Sequence, residues 1–176
     1  PPTKVNEDIL ATGKTHFSKD IKDENIVSLA EITINHLKED GEMTQEDFLA
    51  RVDLLASIGQ EVLITNMPHF SHLTNYLSLF KPNKMALVLG VYNFKQIFES
   101  DYTQFQGGIL EALGRLLRDN MMIYLYPYRE DSKDDDLMNL DSIKVDSQHN
   151  SLLEFVKASK QVKDLEGYDD SLLHIY

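Results

Sequence analysis

Apolar residues recur along this chain in two rhythms, one helical and one unbroken, and their alternation sets the expected architecture. Over 22–41, Ile26, Leu29, Ala30, Thr33 and Leu37 fall at helical spacing and predict a helix with one buried stripe, ending near Gly41. Thr44 with Asp47 three residues on predicts a capping box that starts a second helix, with Met43 packing on Phe48. Phe48, Leu49, Val52, Leu55 and Ala56 form its inward face, and Gly59 supplies the left-handed residue that ends it. Residues 61–65, Glu-Val-Leu-Ile-Thr, are too few for three helical turns and carry β-branched side chains, so a buried strand is expected. Pro68 opens a third helix with Leu73, Tyr76, Leu77 and Phe80 inward, closed by Pro82. Residues 85–91 repeat the strand pattern without polar alternation, which implies cover on both faces. A further helix over 108–119 turns Ile109, Leu110, Leu113, Leu116 and Leu117 inward, and 121–126 is a third buried strand.

Strand–helix–strand–helix–strand across 61–128 predicts a three-layer, Rossmann-like α/β domain. Its short parallel sheet has strands near 61–65, 85–91 and 121–126, flanked by helices, with the strand carboxyl ends gathered on one edge by right-handed crossovers. Residues 1–21 are polar and aperiodic and are expected as an irregular surface segment. An acidic loop is expected over 129–147, then a helix with Leu152, Leu153 and Val156 inward and a short amphipathic piece over 171–175. There is no internal repeat, and a length of 176 residues suits a single domain, 1–176. Because it opens on Pro1 rather than Met, it is expected to be excised from a longer protein.

Composition narrows the function classes. A chain that is 42% hydrophobic and 26% charged is expected to fold rather than stay disordered. With 29 acidic against 17 basic residues, its net charge of -12 repels phosphate backbones and anionic headgroups, so neither nucleic acid nor membrane is an expected partner. No cysteine is present, which excludes disulfides, thiolate catalysis and cysteine-based metal sites, and a cytoplasmic compartment is expected. The apolar run 85–91 is far shorter than the roughly 20 residues that span a bilayer.

Candidate chemistry is sparse. Gly13-Lys14-Thr15 invites a phosphate-loop reading, but Asp8 stands where that motif needs glycine and no apolar strand leads in, so an exposed loop is expected. His69 and His72, at the start of the third helix, lack the further ligands a metal requires, and no metal site is expected. His69 is the sole candidate acid or base, since it follows a strand at the edge where open α/β proteins hold ligands. Gly107 and Gly108 offer backbone N–H groups to an anion at a helix start. The competing reading is a tight helix entry, with Gly114 allowing close approach of a neighbour. Arg115 adds charge if it turns inward and otherwise pairs with Glu111, one turn earlier. Asn66 and Asn93, and Tyr126 and Tyr128 around Pro127, either line the same edge or cap turns. Asp131, Asp134, Asp135 and Asp136 have the charge of a calcium loop without its alternation or glycine, and are read as solvated. No elbow with a Ser-His-Asp order is present. The run 107–117 resembles a segment of a bacterial family, which implies a bacterial source and no residue roles.

The expected function is binding of a small polar or anionic ligand, such as a nucleotide or phosphorylated metabolite, at the strand carboxyl edge. Asn66, His69, Asn93, Gly107, Gly108 and Arg115 are the expected site. Two alternatives stay open. One is an interaction module without activity, whose helices meet a partner domain in the same chain or a second copy as a homo-oligomer. The other is part of a nucleotide-using transferase or hydrolase. No cofactor is assigned from the residues.

Overall fold

The computed structural model describes residues 4–23, 25–34, 44–118, 120–129 and 136–173. Its first half runs α1 (Lys4–Ile21), β1 (Leu29–Thr33), α2 (Gln45–Ser57), β2 (Glu61–Thr65), α3 (Phe70–Leu77), β3 (Met85–Gly90) and α4 (Val91–Gln96). Its second half runs α5 (Gly108–Leu116), β4 (Met121–Tyr126), β5 (Tyr128–Arg129), β6 (Leu137–Met138), α6 (Asn150–Ala158) and β7 (Val162–Asp164). The protein is thus mixed α/β, with short parallel sheets flanked by helices.

The central sheet has the order β3-β4-β7, all parallel. Met85 pairs with Met121 and Gly90 with Tyr126, while Ile123 to Leu125 pair with Val162 to Asp164. Ile123, Tyr124 and Leu125 are wholly buried. A strand paired on both edges and covered on both faces tolerates few polar side chains, which is why Met-Met-Ile-Tyr-Leu-Tyr reads as an unbroken apolar run. Leu113 and Leu116 of α5 and Leu153 and Val156 of α6 join Ile123, Leu125 and Val162 in the main core. Phe94 and Phe98, in and just after α4, complete it at 1% exposure each.

β1 and β2 form a second parallel ladder, Leu29 opposite Glu61 through Thr33 opposite Thr65, connected through α2. The expected strands therefore exist at their expected places, yet β2 is hydrogen-bonded to β1 and β3 to β4. The helix expected over 22–41 is corrected to a strand at 29–33. Ile26, Leu29 and Thr33 keep helical spacing, but pairing of the 29–33 backbone with β2 overrides that local pattern. Leu37, Gly41 and Met43 lie outside the described residues. The capping box forms as expected: Thr44 Oγ1 accepts from the Asp47 N–H at 3.1 Å, and the Asp47 carboxylate accepts from the Thr44 N–H at 3.4 Å. Gly59 ends the turn after α2 at φ +78.

The irregular segment expected over 1–21 is also corrected, since residues 4–21 are the 18-residue helix α1. Val5, Ile9 and Phe17 pack on Tyr124, Tyr126 and Leu165. Tyr126 Oη donates to Asp8 at 2.6 Å and Tyr124 Oη donates to Asp20 at 2.8 Å. Inward-facing carboxylates interrupt the apolar stripe, so the helix escapes a periodicity test. Gly13 sits within α1 rather than in a loop, and it lies so near β3 that a Cβ there would stand 2.5 Å from Val88 Cγ2.

Smaller corrections follow from exposure. Tyr76 (41%) and Phe80 (70%) face solvent and touch each other edge to face at 5.5 Å, and Leu110 is 64% exposed. The loop expected over 129–147 contains the antiparallel β5–β6 pair, and Leu140, Ile143 and Val145 fold back onto the core. Asp131, Asp134 and Asp135 lie outside the described residues. The piece expected over 171–175 is a single tight helical turn, Asp170–Leu172, followed by buried Leu173, and 174–176 lie outside the described residues. Among the described residues, no helix is long and apolar enough to cross a membrane.

Gly13→Ala opposes two effects. It gains about 1 kcal/mol of helix propensity, and it forces a methyl group into Val88 at an overpacking cost of about 1–3 kcal/mol. Urea unfolding should show a net loss of roughly 1 kcal/mol, largely returned by adding Val88→Ala. A singly substituted protein as stable as its parent would mean that α1 stands off the sheet far enough to admit a methyl group at position 13.

Candidate functional site

α3 begins at His69, whose backbone is extended (φ -132, ψ 142) and whose side chain makes no capping bond. Its carbonyl accepts from the N–H of His72 at 3.0 Å and of Leu73 at 3.4 Å, so both imidazoles leave the first turn on the same side. Their ring centroids are 5.6 Å apart. The segment leading into α5 faces them with Tyr102 and Phe105, which are 8% and 6% exposed. Tyr102 Oη donates to the Ile97 carbonyl at 2.7 Å. His69 meets the Tyr102 ring at 5.1 Å, and His72 stacks on Phe105 at 5.0 Å with 22° between planes. The Arg115 guanidinium lies 5.1 Å from the Phe105 centroid, within the range of a cation–π contact.

Beside these rings lies a shallow, open depression of about 360 Å³, to which Ser100, Asp101, Tyr102, Phe105, Gly108 and His149 contribute. Nδ1 of His149 is buried there without a hydrogen-bond partner among the described residues. Among those residues, no group of three or more His, Asp or Glu side chains is placed to hold a metal ion.

The positive end of α5 is already occupied. The Gly107 N–H donates to Glu111 Oε2 at 2.9 Å, and Arg115 Nη2 donates to Glu111 Oε1 at 2.6 Å. The Gly107 N–H, followed by Arg115, holds the Glu111 carboxyl below its usual range. Gly108 has φ +57, a conformation that suits glycine, and donates its N–H to the Phe105 carbonyl at 3.0 Å. Tight helix entry thus accounts for Gly108. A Cβ on Gly114 would meet nothing within 4 Å, so the close approach expected at that glycine does not occur.

Four of the expected site residues, His69, Gly107, Gly108 and Arg115, come together around Phe105 and Glu111. Asn66 stands exposed on the turn leaving β2, and Asn93 stands exposed on α4. The edge expected to gather them is divided, because β2 and β3 belong to different ladders. Tyr126 is 1% exposed beneath α1, and Tyr128 is half-buried in the β5–β6 pair. Sequence reasoning passed over Tyr102, Phe105 and His149. The available signal was two aromatic residues three apart in a polar segment directly before a glycine pair.

These features define the class: an α/β domain of short parallel sheets, with an imidazole–aromatic row between one helix start and the segment entering another. No family model, curated protein or solved structure matches the chain.

Burial, then the charge of His72, holds the His69 imidazole below its ordinary value of 6.5, against the opposing pull of Asp101. Near that pH the unfolded chain binds more protons than the folded one, so stability rises with pH. The contribution of His69 is complete above 6.5 and is lost as pH falls toward the depressed folded value. The drop in urea midpoint between about pH 7.5 and about pH 5.5 should therefore be smaller in His69→Gln than in the parent. Equal drops would mean that His69 titrates as a solvated imidazole.

Proposed function

We propose that this Rossmann-like domain binds a small ligand carrying a planar ring, with the base of a nucleotide as the type, in the depression beside Phe105. A cytoplasmic setting and a bacterial source belong to the same reading. One observation carries it: the half-buried imidazoles of His69 and His72 pack with buried Tyr102 and Phe105 in one row, and Tyr102 and Phe105 line an open depression beside it. The half-buried imidazoles offer stacking to a flat ligand, and Ser100, Asp101 and Thr103, which line the depression, offer hydrogen bonds there. Burial favours the neutral form of His69, which leaves its imidazole able to accept a hydrogen bond or a proton from a ligand.

The phosphate of a nucleotide is served less well. Glu111 takes both the Gly107 N–H and the Arg115 guanidinium, so an incoming anion competes with a carboxylate already in place. Affinity is therefore assigned to the base rather than to the phosphate.

Calorimetric titration with adenosine, guanosine, uridine and cytidine, their monophosphates, and inorganic phosphate tests this. At least one nucleoside should bind within a few-fold of its monophosphate, and phosphate alone should give no heat. Stacking on one aromatic side chain is worth about 1–3 kcal/mol, so His72→Ala should weaken binding by roughly tenfold while leaving the circular dichroism spectrum unchanged. Glu111→Gln should shift preference toward the monophosphate. Silence from every nucleoside and nucleotide at millimolar concentration would overturn the proposal.

A further inference from the structure

The depression beside Phe105 has a negative wall and no positive one. Asp101 lines it with Ser100 and Thr103, and among the described residues no lysine or arginine does. The guanidinium that rests against Phe105, that of Arg115, lies outside this lining and is already bonded to Glu111 at 2.6 Å. Asp101 is held in place, since its Oδ1 accepts from the Thr103 N–H at 2.8 Å. A carboxylate has lone pairs to spare after one such bond, so it can still accept from a ligand. The Thr103 N–H, followed by the Thr103 side chain, holds the Asp101 carboxyl below its usual range, which keeps it an anion at neutral pH. The same charge acts on the His69 imidazole, so Asp101 stands within electrostatic reach of the ring row as well as of the depression.

We propose that the planar ring bound in this depression is a cation, in the class of N-alkylated heterocyclic bases, and that Asp101 is the residue that selects its charge. The inference rests on the reading of the depression as a planar-ring site and adds the sign of the ring. Charge argues for it at short and at long range. A ring stacked on His69 and His72 comes within reach of an ionised carboxylate that pairs with no lysine or arginine among the described residues. Farther out, a net charge of -12 draws cations toward the surface and repels anions. An anionic ligand meets both fields with the wrong sign, and a neutral base gains from neither. Because Asp101 is exposed, water and salt screen its pull. Two unit charges about 4 Å apart in water shift an equilibrium by roughly threefold to fivefold, so the preference is modest and strongest at low salt.

Isomeric nucleosides that differ in charge and in the position of one methyl group test it. At neutral pH the base of 1-methyladenosine is a cation and that of N6-methyladenosine is neutral. Calorimetric titration of the intact chain should give 1-methyladenosine the tighter binding by roughly threefold to fivefold at low salt, with the gap closing as salt is added. In Asp101→Asn, whose amide oxygen can still accept from Thr103, the ratio of the two affinities should fall to about one. In Asp101→Glu the ratio should stay above that of Asp101→Asn, and circular dichroism checks that both variants fold. His72→Ala should weaken both nucleosides together and leave their ratio as it was. Equal binding of the two isomers to the parent chain overturns the charge inference and leaves the planar-ring site standing. Silence from both isomers and from every unmodified nucleoside at millimolar concentration overturns the two together. A preference for 1-methyladenosine that survives Asp101→Asn overturns the role of Asp101 and assigns the selection to the net charge of the chain.

Discussion

A strand with no free edge and no free face organises this molecule. β4 is hydrogen-bonded to β3 and β7, and its side chains alternate between two covers. Ile123 and Leu125 meet the core built by α4, α5 and α6, while Tyr124 and Tyr126 point to α1. Burying a phenol without a partner costs the desolvation of its hydroxyl, so those tyrosines require acceptors from whatever covers them. Asp8 and Asp20 of α1 supply these acceptors. Burial and the adjacent Asp20 push the Tyr124 phenol well above its ordinary value, which keeps it protonated and donating. Lys163 on β7 bonds the same Asp20 at 2.7 Å and leads in holding its carboxyl low, so α1, β4 and β7 are tied at one carboxylate.

That arrangement explains which parts of the fold were legible in the sequence. β3 and β4 were, because sheltered strands leave unbroken apolar runs; β2 was, as a short β-branched run, although Glu61 and Ile64 are exposed where a buried strand was expected; and α2 was, because Thr44 and Asp47 form a local capping signal. α1 was not. Its inward positions include Asp8, Thr12, Gly13 and Asp20, whose placement is understood only once the tyrosines opposite them are known. β1 was misread because its partner is more than thirty residues away, opposite Glu61 through Thr65, and no local pattern states that pairing. β7 is three residues long with an exposed Lys163 at its middle, too short for either periodicity to register.

The grouping of the nominated residues was half legible, and it arises by a different route from the one expected. His69, Gly107, Gly108 and Arg115 were nominated as neighbours along a sheet edge, but they meet through the packing of α3 against the entry of α5. Asn66 and Asn93 were nominated on the same ground, and that ground fails for them because β2 and β3 do not share a ladder. Phe105, on which His72 and Arg115 both rest, carries no motif. An aromatic residue in a loop becomes informative only when the helices beside it are placed.

Glu111 shows how a fold can use up the ligand site that its sequence advertises. A glycine-led helix start with no side-chain cap exposes N–H groups that favour a negative charge, and four residues on, one turn away, this chain supplies its own. The same carboxylate neutralises Arg115, so the row of rings beside it is left polar but nearly uncharged. A comparable economy governs the rest of the surface. Among the described residues the β1–β2 ladder has two strands, and a sheet that small buries too little apolar area to cover itself and the helix above it. Leu29 and Ile64 on the ladder, and Leu49 and Leu54 on α2, remain exposed as a result. A small parallel sheet thus leaves apolar side chains exposed that a larger sheet would have enclosed.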